Sequence, residues 1–342
     1  MLLRDQNRNS VDPRQTLESD GRAALAAMLA RSGYIIQQRL LVDLSNALSN
    51  RIPLLIEGPR GGGKTAIAEA LAGAFNLATF YLQGMDGLTI ADVLYTWDQE
   101  AQTQMVRQEL AAGTRLKEAQ GKQFTREYLI LGEALAAFEY AGGHEDPPVL
   151  IIDEADKLTE KIEDMLLQLL GRGWAHVPRF GDIGVRDKAN WPIVFLLSND
   201  IRHDLSAPLR SRCLFTWLDP PTPQEEVKIL RRRCPEASRE LLLDVVKLIN
   251  CIRRDMPGVR DKPGLRESID LVKALVRARV ERLNPDVIDE HMSFLGKRRK
   301  EQLNLRESLA RMDQAVRTVD RDIDAWVNRA FLDEAHVLKE AA

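Results

Sequence analysis

The chain has 342 residues, 44% of them hydrophobic and 29% charged, with a net charge of −3. That length accommodates two domains with cores of their own, and the composition is ordinary for a soluble globular protein. The near-neutral balance excludes a global bias toward nucleic acid or anionic membrane, and no run of 18 apolar residues offers a membrane span.

Residues 1–20 are polar and are expected to form a loose, disordered arm. Their sequence, MLLRDQNRNSVDPRQ and onward, lacks the apolar core of a secretory signal. Cys213, Cys234 and Cys251 show no Cys-x-x-Cys spacing, which argues against a zinc site or a disulfide framework and fits a reduced, cytoplasmic setting. Helical spacing follows over 21–50, through Leu25, Met28 and Leu29 and then Leu40, Leu41, Leu44 and Leu48, with Gly33-Tyr34 between two helices.

A buried strand is expected at 52–57 (IPLLIE) and a helix at 66–74 (AIAEALAGA). Between them Gly58-Pro59-Arg60-Gly61-Gly62-Gly63-Lys64-Thr65 fits the pattern G-x-x-x-x-G-K-[ST], in the strand–loop–helix setting a phosphate loop requires. Glycines let backbone N–H groups close on phosphate oxygens, and the helix N-terminus starting near Ala66 adds partial positive charge. Lys64 reaches the β- and γ-phosphates in such a loop, and the Thr65 hydroxyl ligates Mg²⁺.

A second strand is expected at 78–82. A long helical insertion follows over roughly 84–147. The short apolar run Pro148-Val149-Leu150-Ile151-Ile152 then reads as a strand buried on both faces, ending in Asp153-Glu154. Ligands of open α/β sheets bind at strand C-termini, so Asp153 is placed to hold Mg²⁺ through its waters and Glu154 to polarise an attacking water. After a helix at 158–171, residues 173–188 suggest a β-hairpin. The strand at 193–198 ends in Ser198-Asn199-Asp200, and the Asn199 amide both donates and accepts, as a water-orienting group must. Arg210 and Arg212, before a strand at 213–218, are candidates to meet a neighbouring subunit's nucleotide.

Pro220-Pro221-Thr222-Pro223 is a rigid break and sets the expected boundary between an α/β domain over 21–220 and a helical domain over 221–295. In the latter, Arg266 opens a helix and is a candidate to reach the γ-phosphate. Residues 296–342 are expected to hold one long helix, 301–338. Its apolar positions from Leu305 to Ala330, Val319 among them, alternate by three and four. Such a seam packs on its own domain or takes a neighbouring subunit or partner helix.

The ordered set GPRGGGKT, LIIDEAD, a hairpin before LLSND, PLRSRC and KPGLRES resembles the MoxR family of AAA+ ATPases over roughly residues 30–285. Tyr95-Thr96-Trp97-Asp98 and CLFTWLDPPTPQEEVKIL resemble the branch associated with carbon monoxide dehydrogenase maturation. The resemblance implies an α/β fold, an AAA+ P-loop NTPase core whose five-stranded parallel sheet lies between helices, followed by an all-α lid domain. It implies hexameric rings that hydrolyse ATP with Mg²⁺ to remodel or activate a client protein, together with a von Willebrand factor A domain partner. By position, Gly58 through Ala66 bind nucleotide, and Thr65 and Asp153 serve the metal. Glu154 is the catalytic acid, Asn199 is sensor 1 and Arg266 is sensor 2. Arg212 best matches the arginine finger, with Arg210 as rival. Arg60 inside the loop departs from the usual small residue, and the tail beyond about residue 290 matches no family segment. Two other functions stay open: a DNA-acting AAA+ motor, which wants a basic, aromatic-bearing pore loop, and a nucleotide-dependent scaffold.

Overall fold

The computed structural model describes residues 10–199, 204–319 and 321–340. Part of the expected arm, residues 1–9, and Asp200 of the Ser-Asn-Asp tip lie outside the described residues. The rest of that expectation is corrected: helix α1 (Pro13–Arg31) starts well inside 1–20. The Asp12 carboxylate accepts the Arg14 amide at 2.9 Å, and Pro13 occupies the first turn, a start signal strong enough to order a polar segment. Arg14 is buried, and its guanidinium donates to the carbonyls of Ala189, at 2.8 Å, and Trp191.

The described chain divides into two compact units. The first holds the residues up to Ser32, with Ile36–Gly58 and Lys64–Leu218; the second holds Gly33–Ile35, Pro59–Gly63 and the residues from Asp219 onward.

In the first unit α2 (Gln38–Asn50) precedes β1 (Leu54–Glu57), α3 (Lys64–Phe75) and β2 (Thr79–Gln83). The insertion then carries α4 (Ile90–Val93), β3 (Tyr95–Trp97), α5 (Gln99–Ala111), α6 (Leu116–Gly121), β4 (Leu129–Leu131) and α7 (Glu133–Gly143). It is therefore not all helical. Tyr95-Thr96-Trp97 and Leu129-Ile130-Leu131 pair antiparallel, each too short to show a period by itself. There follow β5 (Val149–Asp153), α8 (Glu160–Arg172), the hairpin β6 (Trp174–Val177) and β7 (Gly181–Gly184), β8 (Ile193–Ser198), α9 (Ala207–Arg210) and β9 (Leu214–Trp217).

Five of these strands form one parallel sheet in the order β2-β5-β8-β1-β9. The strands β1, β5 and β8 are apolar and buried almost throughout, as helices on both faces demand. Parallel pairing aligns their C-termini, so Glu57 lies opposite Ser198 and Gln83 opposite Asp153. That alignment gathers the polar tips at one edge of the sheet.

The second unit is helical: α10 (Pro223–Arg233), α11 (Arg239–Asp255), α12 (Leu265–Arg277), α13 (Pro285–Glu290), α14 (Met292–Leu295), α15 (Arg299–Glu307), α16 (Leu309–Arg317) and α17 (Arg321–Glu340). Its core includes Leu242, Val245, Ile249, Val272, Leu305, Met312 and Val327. Within it Glu226 is fully buried. It receives two bonds from the Arg253 guanidinium, at 2.7 and 3.1 Å, and one from the Ser268 hydroxyl at 2.6 Å, a set that satisfies both carboxylate oxygens.

The expected single helix over 301–338 is corrected to three. Ser308 leaves helical geometry at φ −101°, ψ 6°, and Thr318 does so at φ −65°, ψ 130°. Leu305, Met312, Val316 and Ile323 still face the core, because separate segments pack on the same surface; Val319, at the second break, is 71% exposed.

Candidate active site

The site grows from the polar tips of the first unit. Lys64 opens α3, is buried, and donates from Nζ to the Gly58 carbonyl at 2.8 Å, which folds its side chain back over the loop's starting point. Thr65 donates from Oγ1 to Asp153 Oδ2 at 2.9 Å. Two segments 88 positions apart in sequence thus meet through the hydroxyl and carboxylate expected to share a metal. Ala66 follows in the first turn of α3, half-buried.

Asp153 ends β5, and its Oδ1 accepts the Glu154 amide at 2.7 Å. Glu154 itself stands at φ 50°, ψ 46°, the left-handed region. A side chain with a Cβ adopts that conformation at a cost of about 1–3 kcal/mol, and such strain gathers at functional positions. The Glu154 carboxylate is held by two groups: Gln83 donates from Nε2 to Oε2 at 2.7 Å, and Lys157 pairs with the same oxygen. Tyr81 donates its hydroxyl to Asp153 Oδ2 at 2.7 Å. Partial burial, with the Asp153 bond second, pushes the Tyr81 phenol well above its ordinary range, so it remains a donor there.

Asn199 leaves β8 beside this pair. Its backbone N–H donates to Asp156 Oδ1 at 3.1 Å, and Asp156 is buried. The segment after Glu154 is thereby tied to the tip of the adjacent strand. Tyr81, Gln83 and Lys157 belong to none of the motifs in the sequence. Lys157 has a visible signal, lying three positions after Glu154 on a short helical turn; Gln83 shows only as the last residue of its strand.

Gly84 explains how β2 comes so close. Its N–H donates to the Asp153 carbonyl at 2.7 Å, and a Cβ placed on it would lie 2.2 Å from the Glu154 carbonyl oxygen. No side chain fits without moving that backbone. Gly84→Ala is expected to lower stability by about 1–3 kcal/mol, read as a fall in the urea midpoint; an unchanged midpoint would show that the turn yields freely.

The two arginines near β9 differ. Arg210 pairs with Glu57, which is buried at the end of β1, and its guanidinium lies 5.6 Å from the Phe215 ring centroid. Arg212 is exposed and makes no side-chain hydrogen bond or ion pair among the described residues; its Nη1 lies 2.7 Å from where a Cβ on Gly171 would stand.

In the second unit, loop residues Pro59–Gly63 lie against the start of α12. A Cβ on Gly264 would be 3.3 Å from the Arg60 carbonyl oxygen, and one on Gly61 3.6 Å from Glu267 Oε2. The loop turns through Gly62 N–H donating to the Pro59 carbonyl at 3.3 Å. Gly63, at φ +92°, takes a conformation suited to glycine. Arg266 on α12 has an 82% exposed side chain whose Nε lies 3.9 Å from Asp270. Among the described residues no cluster of three or more His, Cys, Asp and Glu could hold a metal by itself, and no helix is long and apolar enough to cross a membrane.

A parallel sheet of this order, with a phosphate loop after β1 and an acidic pair after β5, defines the P-loop fold of AAA+ type. Residues 53–213 match the family described as AAA domain (dynein-related subfamily). No curated protein matches the chain. Among solved structures, a point mutant of Thermotoga maritima RuvB is 20% identical, with a TM-score of 0.44, and the match covers 76% of this chain and 70% of that one. The Thermotoga maritima RuvB Holliday junction branch migration motor is likewise 20% identical, with a TM-score of 0.41 and coverage of 75% and 67%. At this identity and score the likeness says nothing of function.

Proposed function

We propose that the chain binds ATP with Mg²⁺ and hydrolyses it to remodel or activate a protein client, as a MoxR-type AAA+ ATPase of the cytoplasm. It would work in a ring of like subunits, a hexamer, with a von Willebrand factor A domain partner. The observation that carries the enzymatic part is the Thr65–Asp153 bond beside a strained, restrained Glu154. A hydroxyl and a carboxylate oxygen that share a hydrogen bond at 2.9 Å suit a hard cation with oxygen ligands. The residues present therefore fit Mg²⁺, which when bound would neutralise charge on the phosphates.

The chain's own groups divide the remaining work. Gly58, Pro59, Arg60, Gly61, Gly62, Gly63 and Ala66 offer backbone contacts to phosphate (Pro59 lacks an N–H), and Lys64 can exchange the Gly58 carbonyl for a phosphate oxygen. Glu154 takes the proton of the attacking water once Gln83 and Lys157 release it. Asn199 orients that water, and Arg266 answers to the γ-phosphate from α12. Arg212 serves the neighbouring subunit's site.

The test is turnover of purified protein under Mg²⁺ and ATP, with an unfolded polypeptide or DNA added. Stimulation by polypeptide supports the remodelling role. Stimulation by DNA alone supports the DNA-motor alternative, and no affinity for ATP in any assembly state ends the enzymatic reading.

A further inference from the structure

The hairpin β6–β7 lies outside the roles assigned above. Its register, with His176 opposite Asp182, sets Trp174, His176 and Asp182 on one face. The other face sends Val177 and Ile183 into the core. On the outer face the Arg186 guanidinium lies 4.2 Å from the Trp174 ring centroid and also pairs with Asp182. Arg172 approaches the same ring at 5.9 Å. At the turn Arg179 lies 4.5 Å over Phe124, whose ring meets Trp97 edge-on at 5.2 Å. Phe180, 36% exposed, closes the group at 6.5 Å from Trp97.

Of these three guanidiniums, Arg186 alone pairs with a carboxylate among the described residues, that of Asp182, which His176 also contacts. The side chains of Arg172 and Arg179 make no hydrogen bond or ion pair among the described residues. Arg179 also stands at φ +69°, in a turn position that glycine or asparagine would take with less strain. The backbone there spends conformational energy to present an arginine.

We propose that this face binds an acidic stretch of polypeptide, with Arg172, Arg179 and Arg186 receiving its carboxylates. The inference rests on the reading of the chain as a protein-remodelling ATPase and names the chemistry of client it grips. A guanidinium stacked on a ring is held flat with its N–H edge outward, already arranged for a two-point contact with a carboxylate. The same stacking disfavours nucleic acid. Arg186 covers Trp174, and Trp97 and Phe124 pack on each other beneath Arg179, so few ring faces stay open for bases.

The experiment titrates the full chain into fluorescein-labelled oligo-glutamate, a neutral Gly-Ser peptide and single-stranded oligo-dT, reading anisotropy with and without Mg²⁺ and ATP. Oligo-glutamate alone is expected to bind. Arg172→Gln with Arg179→Gln should weaken it about tenfold or more, Arg179→Lys should weaken it less, and melting temperature and ATP affinity should not move. Tighter binding of oligo-dT, peptide binding indifferent to the arginines, or no peptide binding by protein that still hydrolyses ATP would each overturn the assignment. Failure to bind ATP strikes the underlying reading instead, and the nucleotide-free titration still decides the hairpin.

Discussion

Glu154→Gln is expected to keep its affinity for ATP and lose turnover by about 10²–10⁴-fold, the usual contribution of a positioned base. The substitution keeps the side chain's shape and its ability to accept from Gln83, but the amide cannot take a proton from water. The backbone should hold as well, because the left-handed turn at Glu154 is set by neighbouring contacts: the Gly84 N–H on the Asp153 carbonyl and the Asp153 carboxylate on the Glu154 amide. One contact does change. Lys157 loses a charged partner that is about a quarter exposed, a loss of about 1 kcal/mol or less after screening. Binding is checked by calorimetry with ATP and Mg²⁺, and turnover by phosphate release. A variant that hydrolyses at the parental rate removes Glu154 from the base role; one that no longer binds ATP shows that its charge shapes the pocket instead.

The candidate site is legible in the sequence because its parts are short and fixed in register. A phosphate loop needs its glycines, lysine and threonine at set spacings, and a doubly buried strand announces itself as an apolar run such as Val149–Ile152. The parallel order of the sheet then places Asn199 beside Asp153 without further information. What eluded the sequence depends on distant partners. Gln83 reaches Glu154, and Tyr81 reaches Asp153, only because β2 pairs with β5 in one particular register. The β3–β4 pair joins triplets separated by two helices. The breaks at Ser308 and Thr318 run against an unbroken three-and-four pattern, since helical periodicity records which side chains reach a core and not whether the backbone between them is continuous.

Arg212→Ala is expected to abolish most turnover, by about 10³-fold, while stability stays within about 0.5 kcal/mol. The sequence leaves Arg210 as a rival, and the two side chains differ in their surroundings. Arg210 neutralises Glu57, a carboxylate buried at the end of β1, and lies over Phe215. Removing it takes a cation from that buried carboxylate and should lower stability by about 1–3 kcal/mol, with any loss of turnover following loss of fold. Arg212 has no such duty among the described residues, so a structural role predicts nothing for it, whereas a catalytic arginine supplied to a neighbouring subunit predicts a silent change in melting temperature and a large one in rate. Mixing separates the mechanisms further. Subunits carrying Lys64→Ala lack a working phosphate loop but retain Arg212; subunits carrying Arg212→Ala have the reverse. Co-assembled, some interfaces join an intact loop to an intact arginine, and partial hydrolysis should return. A mixed assembly as inactive as either parent, or an Arg212→Ala protein with parental turnover, would place the γ-phosphate's arginine elsewhere in the molecule.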